Sequence, residues 1–354
     1  MNHNFYTAQE QHFLEGFFEC LGRQGVNYVM LRGHDGFPEK KTGHDIDLYI
    51  PETDVRNFEN LLQDNANKHE FKFIFRDMHH YGGRVYWCFL PETTLQKLHY
   101  VVLHVFTEVN WLGLEFLNEC ELKNYDLFQE NYRRLNAVNY LKMLLVIVLP
   151  NGPREKYIEQ VNNLLHNNKS LLRELRDALN LTVGRSTTAE IINDITSKKL
   201  TQITRRRRKI QAAYLLRKFL LFRNWLAFTR YQISKANSKV RQHECGAIFF
   251  IPGVKDEKRK SIFLEEVLRA FPSSIVINSA AEMRELKIKS IKNKAKRAGL
   301  ILVFDHLTEY NTEIYDSHGL RYTEIPDLDI CKVVEFFGLN HRHDLDTDTT
   351  YEII

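Results

Sequence analysis

The spacing of apolar positions divides the chain into three parts of different character. In the first hundred residues, short apolar runs that predict strands alternate with two stretches of helical periodicity. Thr7-Ala-Gln-Glu10 has the pattern of a capping box and predicts the start of the first helix. The predicted order is a helix over residues 8–21, strands over 27–31 and 45–50, a helix over 52–63, and strands over 71–75, 85–90 and 98–106. We expect a small mixed sheet with helices on one side.

The second part is helical, and in the third part predicted strands alternate with predicted helices. Residues 114–239 carry almost wholly helical periodicity, with the clearest break at residues 150–153. Strands are then predicted over 247–251, 274–277 and 300–304, with helices over 258–271 and 281–297. This alternation implies a parallel sheet. We predict an α/β multi-domain protein with a mixed-sheet domain over 1–113, a helical middle region over 114–243, a parallel-sheet domain over 244–340 and a loose acidic tail over 341–354.

Composition narrows the class of protein. Apolar residues make up 44% of the 354 positions and charged residues 27%, which is ordinary for a globular protein. Five scattered cysteines without a CxxC pair argue against a disulfide framework and favour a reducing compartment. The polar N-terminus lacks the apolar core of a signal peptide, and no apolar run reaches the about 20 residues that span a bilayer. We therefore expect a cytoplasmic protein.

The net charge of +4 conceals a strongly basic segment. Residues 198–241 contain fourteen Lys and Arg and no Asp or Glu. The mixture of Leu, Phe and Trp with basic residues over 214–231 is typical of helices that lie on an anionic membrane surface, here the inner face. Packing of a helix pair on the acidic remainder of the protein is the simpler explanation. Nucleic-acid binding is disfavoured, because no recognition motif accompanies the charge.

Two aspartates in the second predicted strand are the candidates for chemistry. Asp45 and Asp47 stand at i and i+2, so both side chains would project from one face at the start of the strand. Paired carboxylates on one face suit Mg²⁺ or Mn²⁺ together with phosphate oxygens. A glycine turn at Gly33 would let a phosphate chain approach the backbone. We expect both aspartates to make few packing contacts, so that replacing them costs little stability.

This arrangement, YVMLRG followed by GHDIDLYI, resembles the nucleotidyltransferase superfamily. It is most similar to the branch found with bacterial surface-polysaccharide biosynthesis, which joins such a domain to a helical middle and a thymidylate-kinase-like domain. The resemblance implies ATP or another nucleoside triphosphate as donor and a sugar or glycan precursor as acceptor. It also implies nucleotide contacts from the loop around the two aspartates, at Arg32, Gly33, Lys40, Lys41 and Gly43.

The chain departs from the family pattern at the third carboxylate. HVFTEVNWLG over residues 104–113 resembles the strand that normally carries it, but the position is occupied by His104. A neutral imidazole could act as a base or a ligand. Glu108 is a possible substitute if the strand extends that far. The departure puts turnover in doubt more than nucleotide binding.

A second departure lies in the C-terminal third. A working phosphate-binding loop reads GxxxxGK[ST], because its glycines free backbone N–H groups for the phosphates. Here Gly253 is followed by Lys258, Lys260 and Ser261, with one extra residue and Arg259 in place of the second glycine. We interpret this segment as a vestigial loop in a degenerate P-loop-kinase-like domain.

The sequence thus predicts transfer of a nucleoside monophosphate to a small acceptor, with catalytic roles for Asp45, Asp47 and His104 or Glu108. Two alternatives stay open. One is a catalytically impaired scaffold that binds nucleotide or glycan, which two degraded motifs in one chain favour. The other is an adenylyltransferase that modifies an antibiotic or a protein, because the same site architecture serves both reactions.

Overall fold

A computed structural model describes the chain over residues 5–32, 36–41, 45–71, 73–78, 83–92, 97–128, 132–152, 155–166, 168–220, 222–240, 247–254, 256–271, 274–278, 300–307, 315, 322–325 and 328–341. The prediction of an α/β protein with a mixed sheet, helices and a separate parallel sheet is confirmed at this level of detail. None of the helices in these ranges combines the length and apolar character that crossing a bilayer requires.

The first helix, α1 (Ala8–Arg23), begins as predicted. Thr7 accepts a hydrogen bond from the backbone N–H of Glu10, and the Glu10 carboxylate accepts one from the backbone N–H of Thr7. These reciprocal bonds satisfy N–H groups that the first helical turn leaves open. The apolar face of α1 is fully buried and carries Phe13, Leu14, Phe17, Phe18 and Leu21.

In the described part of the chain, seven strands form one mixed sheet in the order β3-β4-β5-β2-β1-β9-β8. Their bounds are β1 (Val29–Arg32), β2 (Ile46–Tyr49), β3 (Phe73–Met78), β4 (Gly83–Glu92), β5 (Lys97–Phe106), β8 (Tyr125–Phe128) and β9 (Tyr132–Leu135). The central pair β2 and β5 is parallel, and β1 runs antiparallel to β2. Helix α1 and helix α2 (Val55–Lys68) pack on one face of this sheet.

The prediction that residues 114–239 are almost wholly helical is wrong up to residue 135. A hairpin of β6 (Val109–Trp111) and β7 (Leu114–Leu117) and a short helix α3 (Glu119–Lys123) precede β8 and β9. Strand β9 pairs in parallel with β1, so the sheet continues past the boundary predicted at residue 113. These strands have three or four residues each, which are too few positions for a periodicity to be read.

The helical middle region follows β9. Its helices are α4 (Ala137–Met143), α5 (Glu155–Leu165), α6 (Lys169–Val183), α7 (Arg185–Thr196), α8 (Gln202–Arg205), α9 (Arg207–Lys218) and α10 (Phe222–Val240). A π-helical turn over Leu144–Val148 continues α4. The apolar faces of α4 to α9 share one core with Val29 and Leu31 of β1, which places this region on the sheet face opposite α1.

The C-terminal part contains a separate four-stranded sheet in which every described pairing is parallel. Its order is β11-β12-β10-β13, with β10 (Ala247–Phe250), β11 (Ile275–Ile277), β12 (Leu300–Val303) and β13 (Tyr322–Glu324). Helix α11 (Glu257–Ala270) agrees with the prediction, whereas β13 and α12 (Ile330–His341) were not predicted. The helix predicted over 281–297 and the acidic tail after residue 341 lie outside the described residues.

Candidate functional site

Three side chains of the candidate site lie in one row across three neighbouring strands. In the strand register, Arg32 of β1 faces Asp47 of β2, and Asp47 faces His104 of β5. Asp45 stands two residues before Asp47, at the start of β2. Side chains at i and i+2 of an extended chain project from the same face, so both carboxylates lie on the His104 side of the sheet.

A β-bulge brings Arg32 into this row. Met30 pairs with Leu48 and Arg32 pairs with Asp47, so β1 advances two residues where β2 advances one. Without the irregularity, Arg32 would project from the same face as Met30, which packs under α1. The extra residue turns Arg32 towards Asp47. Short-range sequence patterns do not reveal such a bulge.

The carboxylate of Asp47 lies between two nitrogen-bearing side chains. Arg32 Nη2 is 2.6 Å from Asp47 Oδ2, and His104 Nδ1 is 3.3 Å from Asp47 Oδ1. His104 Nδ1 is also 3.6 Å from Asp45 Oδ2. The Asp47 side chain is 5% exposed and that of Asp45 is 40% exposed. The expectation that both aspartates make few packing contacts is therefore wrong for Asp47, because its carboxylate is enclosed and ion-paired.

The same contacts set the protonation of the basic groups. Burial alone would lower the pKa of His104, but hydrogen bonds to Asp45 and Asp47 and their negative charges raise it above its ordinary value. Burial also opposes the charged form of Arg32, and the carboxylate of Asp47 outweighs it, so the pKa of Arg32 is raised. The carboxylates of Asp45 and Asp47 thus favour the protonated, positively charged forms of His104 and Arg32.

Asp45, Asp47 and His104 could hold a metal ion. Each offers one ligand atom, and these atoms lie within 4.8 Å of one another. Two carboxylate oxygens and one imidazole nitrogen are all ordinary ligands of divalent cations. Half-exposed Asp45 forms the solvent side of the group and buried Asp47 the inner side, so a bound ion would have its remaining coordination positions open towards solvent.

Gly83, at the start of β4, makes room for His104. A Cβ atom at this position would lie 2.7 Å from His104 Nε2 and 3.3 Å from the ring of Phe106. The Phe106 ring in turn contacts the imidazole, with 4.0 Å between centroids. The tertiary structure thus gives Gly83 a packing role against the imidazole and Phe106. The neighbouring Gly82 lies outside the described residues.

We expect Gly83→Ala to displace the His104 ring, because an atom pair at 2.7 Å cannot be accommodated without movement. Changes to groups that support a ligand typically weaken metal binding by about 10–100-fold. The measurement is Mn²⁺ titration followed by electron paramagnetic resonance. Gly22→Ala is the matched control, because a Cβ there meets nothing within 4 Å and should cost no binding. Equal Mn²⁺ affinity in both variants would show that His104 is not held by Gly83.

The residues predicted to contact nucleotide fall into different environments. Gly33 and Gly43 lie outside the described residues. Arg32 is engaged with Asp47, and Lys40 is exposed near Gly36. Of the three that the structure describes, Arg32, Lys40 and Lys41, Arg32 is the one in the row of charged groups.

Lys41 is enclosed rather than directed towards a ligand. Its Nζ lies 2.9 Å from Glu10 Oε2, with 8% and 0% of the two side chains exposed, and it stands over the rings of Tyr6 and Tyr100. Burial lowers the pKa of Lys41, although the carboxylate of Glu10 acts in the opposite direction. This ion pair ties Lys41 to the start of α1.

Glu108 lies apart from the three-residue group. Strand β5 ends at Phe106, so Glu108 is beyond the strand that carries His104. Its carboxylate is exposed and accepts a hydrogen bond from Asn110 Nδ2 at 2.6 Å. The condition on which its role depended, that the strand continues to residue 108, is not met.

In the segment interpreted as a vestigial phosphate loop, an acidic side chain occupies the position at the N-terminus of α11 where a phosphate would bind. Asp256 caps α11, and its Oδ1 accepts hydrogen bonds from the backbone N–H groups of Lys258 and Arg259. These are the groups that a bound phosphate would use at a helix N-terminus. Lys260 Nζ stands 4.3 Å from the centre of the Phe304 ring, and Ser261 is exposed. Gly253 has a positive φ of 70°, with open space where a Cβ would be.

No family model matches the chain, and none of the curated proteins matches it. Among solved structures, it is similar to a candidate nucleotidyltransferase from H. pylori, at 11% identity and a TM-score of 0.32. That match covers 61% of this chain and 99% of the other. A likeness of this size leaves the function to be argued from the residues of the site.

Proposed function

We propose that the Asp45, Asp47 and His104 group is the centre of a metal-dependent nucleotidyltransferase. The observation that carries the proposal is the convergence of two strand-borne carboxylates with a third ligand, within 4.8 Å, on one face of a mixed sheet. The proposed reaction moves a nucleoside monophosphate from a triphosphate to an acceptor. An acceptor hydroxyl loses its proton to solvent and its oxygen forms a bond to the α-phosphorus. The bond between the α-phosphorus and the bridging oxygen of the β-phosphate breaks, and pyrophosphate leaves.

The roles of the side chains follow from their positions. Asp45 and Asp47 would hold Mg²⁺ or Mn²⁺, which would supply positive charge for the reacting phosphate. Arg32 would hold Asp47 in one orientation through their 2.6 Å contact. The half-exposed Asp45 faces the space from which an acceptor would approach. The family resemblance, rather than a described position, suggests that the backbone at Gly33 would receive the triphosphate.

The acceptor class rests on the family resemblance. The sequence patterns YVMLRG and GHDIDLYI resemble the polysaccharide-biosynthesis branch of the superfamily, so we propose a sugar or glycan precursor. Such precursors are often lipid-linked. The basic segment over 198–241 would attract the protein to the anionic inner face of a membrane, where they lie.

The experiment that tests the proposal is thermal unfolding with each of the four nucleoside triphosphates, with and without Mg²⁺ or Mn²⁺. A ligand that binds only the folded state adds about 2.7 kcal/mol at a hundred times its dissociation constant. We expect a stabilising shift with at least one nucleotide, and only when the metal is present. The absence of a shift with every combination would overturn the proposal.

His104 should also determine which metal is preferred. Imidazole nitrogen is a better ligand for transition metals than for Mg²⁺, which favours oxygen. We expect Mn²⁺ to stabilise the wild-type protein more than Mg²⁺ at equal concentration. His104→Asp supplies a third carboxylate and should move the preference towards Mg²⁺, and His104→Gln, which retains a neutral polar side chain, serves as control. An unchanged order of the two metals in His104→Asp would mean that His104 is not a ligand.

One observation favours a second candidate, the scaffold without catalytic activity. Both oxygens of Asp47 already face cationic or basic groups, at 2.6 and 3.3 Å, which partly neutralises the carboxylate that a metal would need. A metal-dependent nucleotide shift without turnover of any acceptor would favour this candidate. Release of pyrophosphate with a glycan precursor would exclude it.

A further inference from the structure

The turn between α9 and α10 exposes a group of large apolar side chains, here called the apolar tip. Its members are Leu216, Leu220, Trp225 and Leu226, with exposed fractions of 72%, 77%, 51% and 52%. Single exposed apolar residues are common on globular proteins and need no explanation. Leu220 directly follows Phe219, whose ring stacks on Trp225, so exposed apolar side chains of both helices meet at this point. A group of this kind points to a partner.

The apolar tip is held in shape from within. The ring of Phe219 stacks on Trp225 with 4.3 Å between centroids and contacts Phe228 at 5.1 Å. Trp225 Nε1 donates a hydrogen bond to the backbone carbonyl of Phe219 at 3.1 Å. The polar N–H of the indole is therefore satisfied inside the turn, and the exposed part of the ring is apolar.

Exposed arginines flank the apolar tip on both helices. On α9, Arg208, Ala212 and Leu216 are exposed at successive i, i+4 positions. On α10, Arg230 follows Leu226 by one turn. Arg217 is exposed beside Leu216. No Asp or Glu occurs between residues 198 and 241, so neither helix carries an acidic residue that would offset these arginines.

Only part of the basic segment is neutralised by the rest of the protein. Arg206 bonds to Asp194 and Glu190 of α7, and Lys209 bonds to Glu190. The explanation that the helices pack on acidic residues therefore holds for the inner side of α9. It does not account for the exposed arginines beside the apolar tip.

We propose that the apolar tip inserts shallowly into an anionic lipid bilayer, with Arg217 and Arg230 at the level of the headgroup phosphates. Leucine and tryptophan at the centre with arginine at the margin match the two layers of a bilayer surface, acyl chains below and phosphates above. A nucleic acid would match the charge but would leave the leucines in water. This inference stands independently of the proposed nucleotidyltransferase activity.

Vesicle flotation of the full-length protein tests the proposal at low salt. We expect the protein to float with vesicles of phosphatidylcholine and phosphatidylglycerol in equal parts, and not with phosphatidylcholine alone. Leu216→Ser with Leu220→Ser should weaken binding by about tenfold or more, because each removes apolar surface that would enter the bilayer. The matched control is Leu181→Ser, since Leu181 on α6 is 82% exposed but lies in a different helix. All three positions are exposed, so the fold should survive, and circular dichroism checks this.

Tryptophan fluorescence gives a second readout at the proposed point of insertion. With anionic vesicles, the emission of Trp225 should shift to shorter wavelength, and Trp225→Phe should lose that part of the change. Failure to float at low salt, or equal flotation of the Leu216/Leu220 variant, would overturn the proposal. A change from dimer to monomer in sedimentation of that variant, without lipid binding by the wild type, would instead assign the apolar tip to a second copy of the chain.

Discussion

Asp45→Asn should abolish the metal-dependent nucleotide shift and leave the stability of the protein nearly unchanged. The Asp45 side chain is 40% exposed and stands 3.6 Å from His104, so its charge faces the site and solvent rather than the core. The amide of Asn is similar in size but carries no negative charge for a cation. The measurement is the thermal shift with Mn²⁺ and the nucleotide that stabilises wild type most.

Asp47→Asn provides the comparison that separates binding from folding. It should also lose the shift, but with a loss of stability of about 1.5–3 kcal/mol, because the Arg32 guanidinium loses a charge-assisted partner at 2.6 Å. Urea unfolding without ligand measures this difference between the two variants. If Asp45→Asn binds Mn²⁺ and nucleotide as well as wild type, the assignment of the site is wrong.

Lys41→Met should destabilise the protein strongly, whereas Lys40→Met should have almost no effect. Lys41 is the buried cation of the Glu10 pair, and removing one partner of a buried pair typically costs about 3–5 kcal/mol. Glu10 would keep the backbone N–H groups of Thr7 and Tyr100 and a guanidinium nitrogen of Arg269 at 4.0 Å. These groups would compensate only part of the loss.

Urea unfolding of the two lysine variants tests this expectation. The side chain of Lys40 is exposed, and its backbone pairs with Phe5, so Lys40→Met changes surface charge alone. Nucleotide affinity should be measured on both variants at a temperature where both are folded. If both variants are equally stable and only Lys41→Met loses nucleotide binding, the structural role is wrong. Lys41 would then be a nucleotide contact, as the sequence predicted.

Local sequence signals predicted the elements that have a local cause. The capping box at Thr7 and Glu10 determines where α1 begins, since both hydrogen bonds form within one turn. The i and i+2 spacing placed Asp45 and Asp47 on one strand face, because side chains alternate along any extended chain. Alternation of strands and helices likewise indicated the parallel C-terminal sheet, which the pairings confirm.

Local sequence patterns did not predict contacts between residues that are far apart in the chain. From the sequence, Lys40 and Lys41 were equally good candidates for nucleotide contacts. In the structure, Lys40 is exposed, whereas Lys41 is buried against Glu10. Likewise, Tyr132–Leu135 contains no pattern that would predict pairing with β1, which lies a hundred residues earlier. Burial depends on what the rest of the chain places around a residue, and no local periodicity records it.

The sequence by itself determined that two carboxylates share a strand face, that a histidine stands where a third carboxylate was expected, and that one segment carries fourteen basic residues and no acidic ones. Only the tertiary structure decided that Arg32 and His104 lie on either side of Asp47, that Gly83 makes room for the imidazole, and that Leu216, Leu220 and Leu226 are exposed where α9 and α10 meet. The physical reason is that the first set follows from backbone geometry over a few residues. The second depends on strand register, a β-bulge and close packing, which the whole chain decides together.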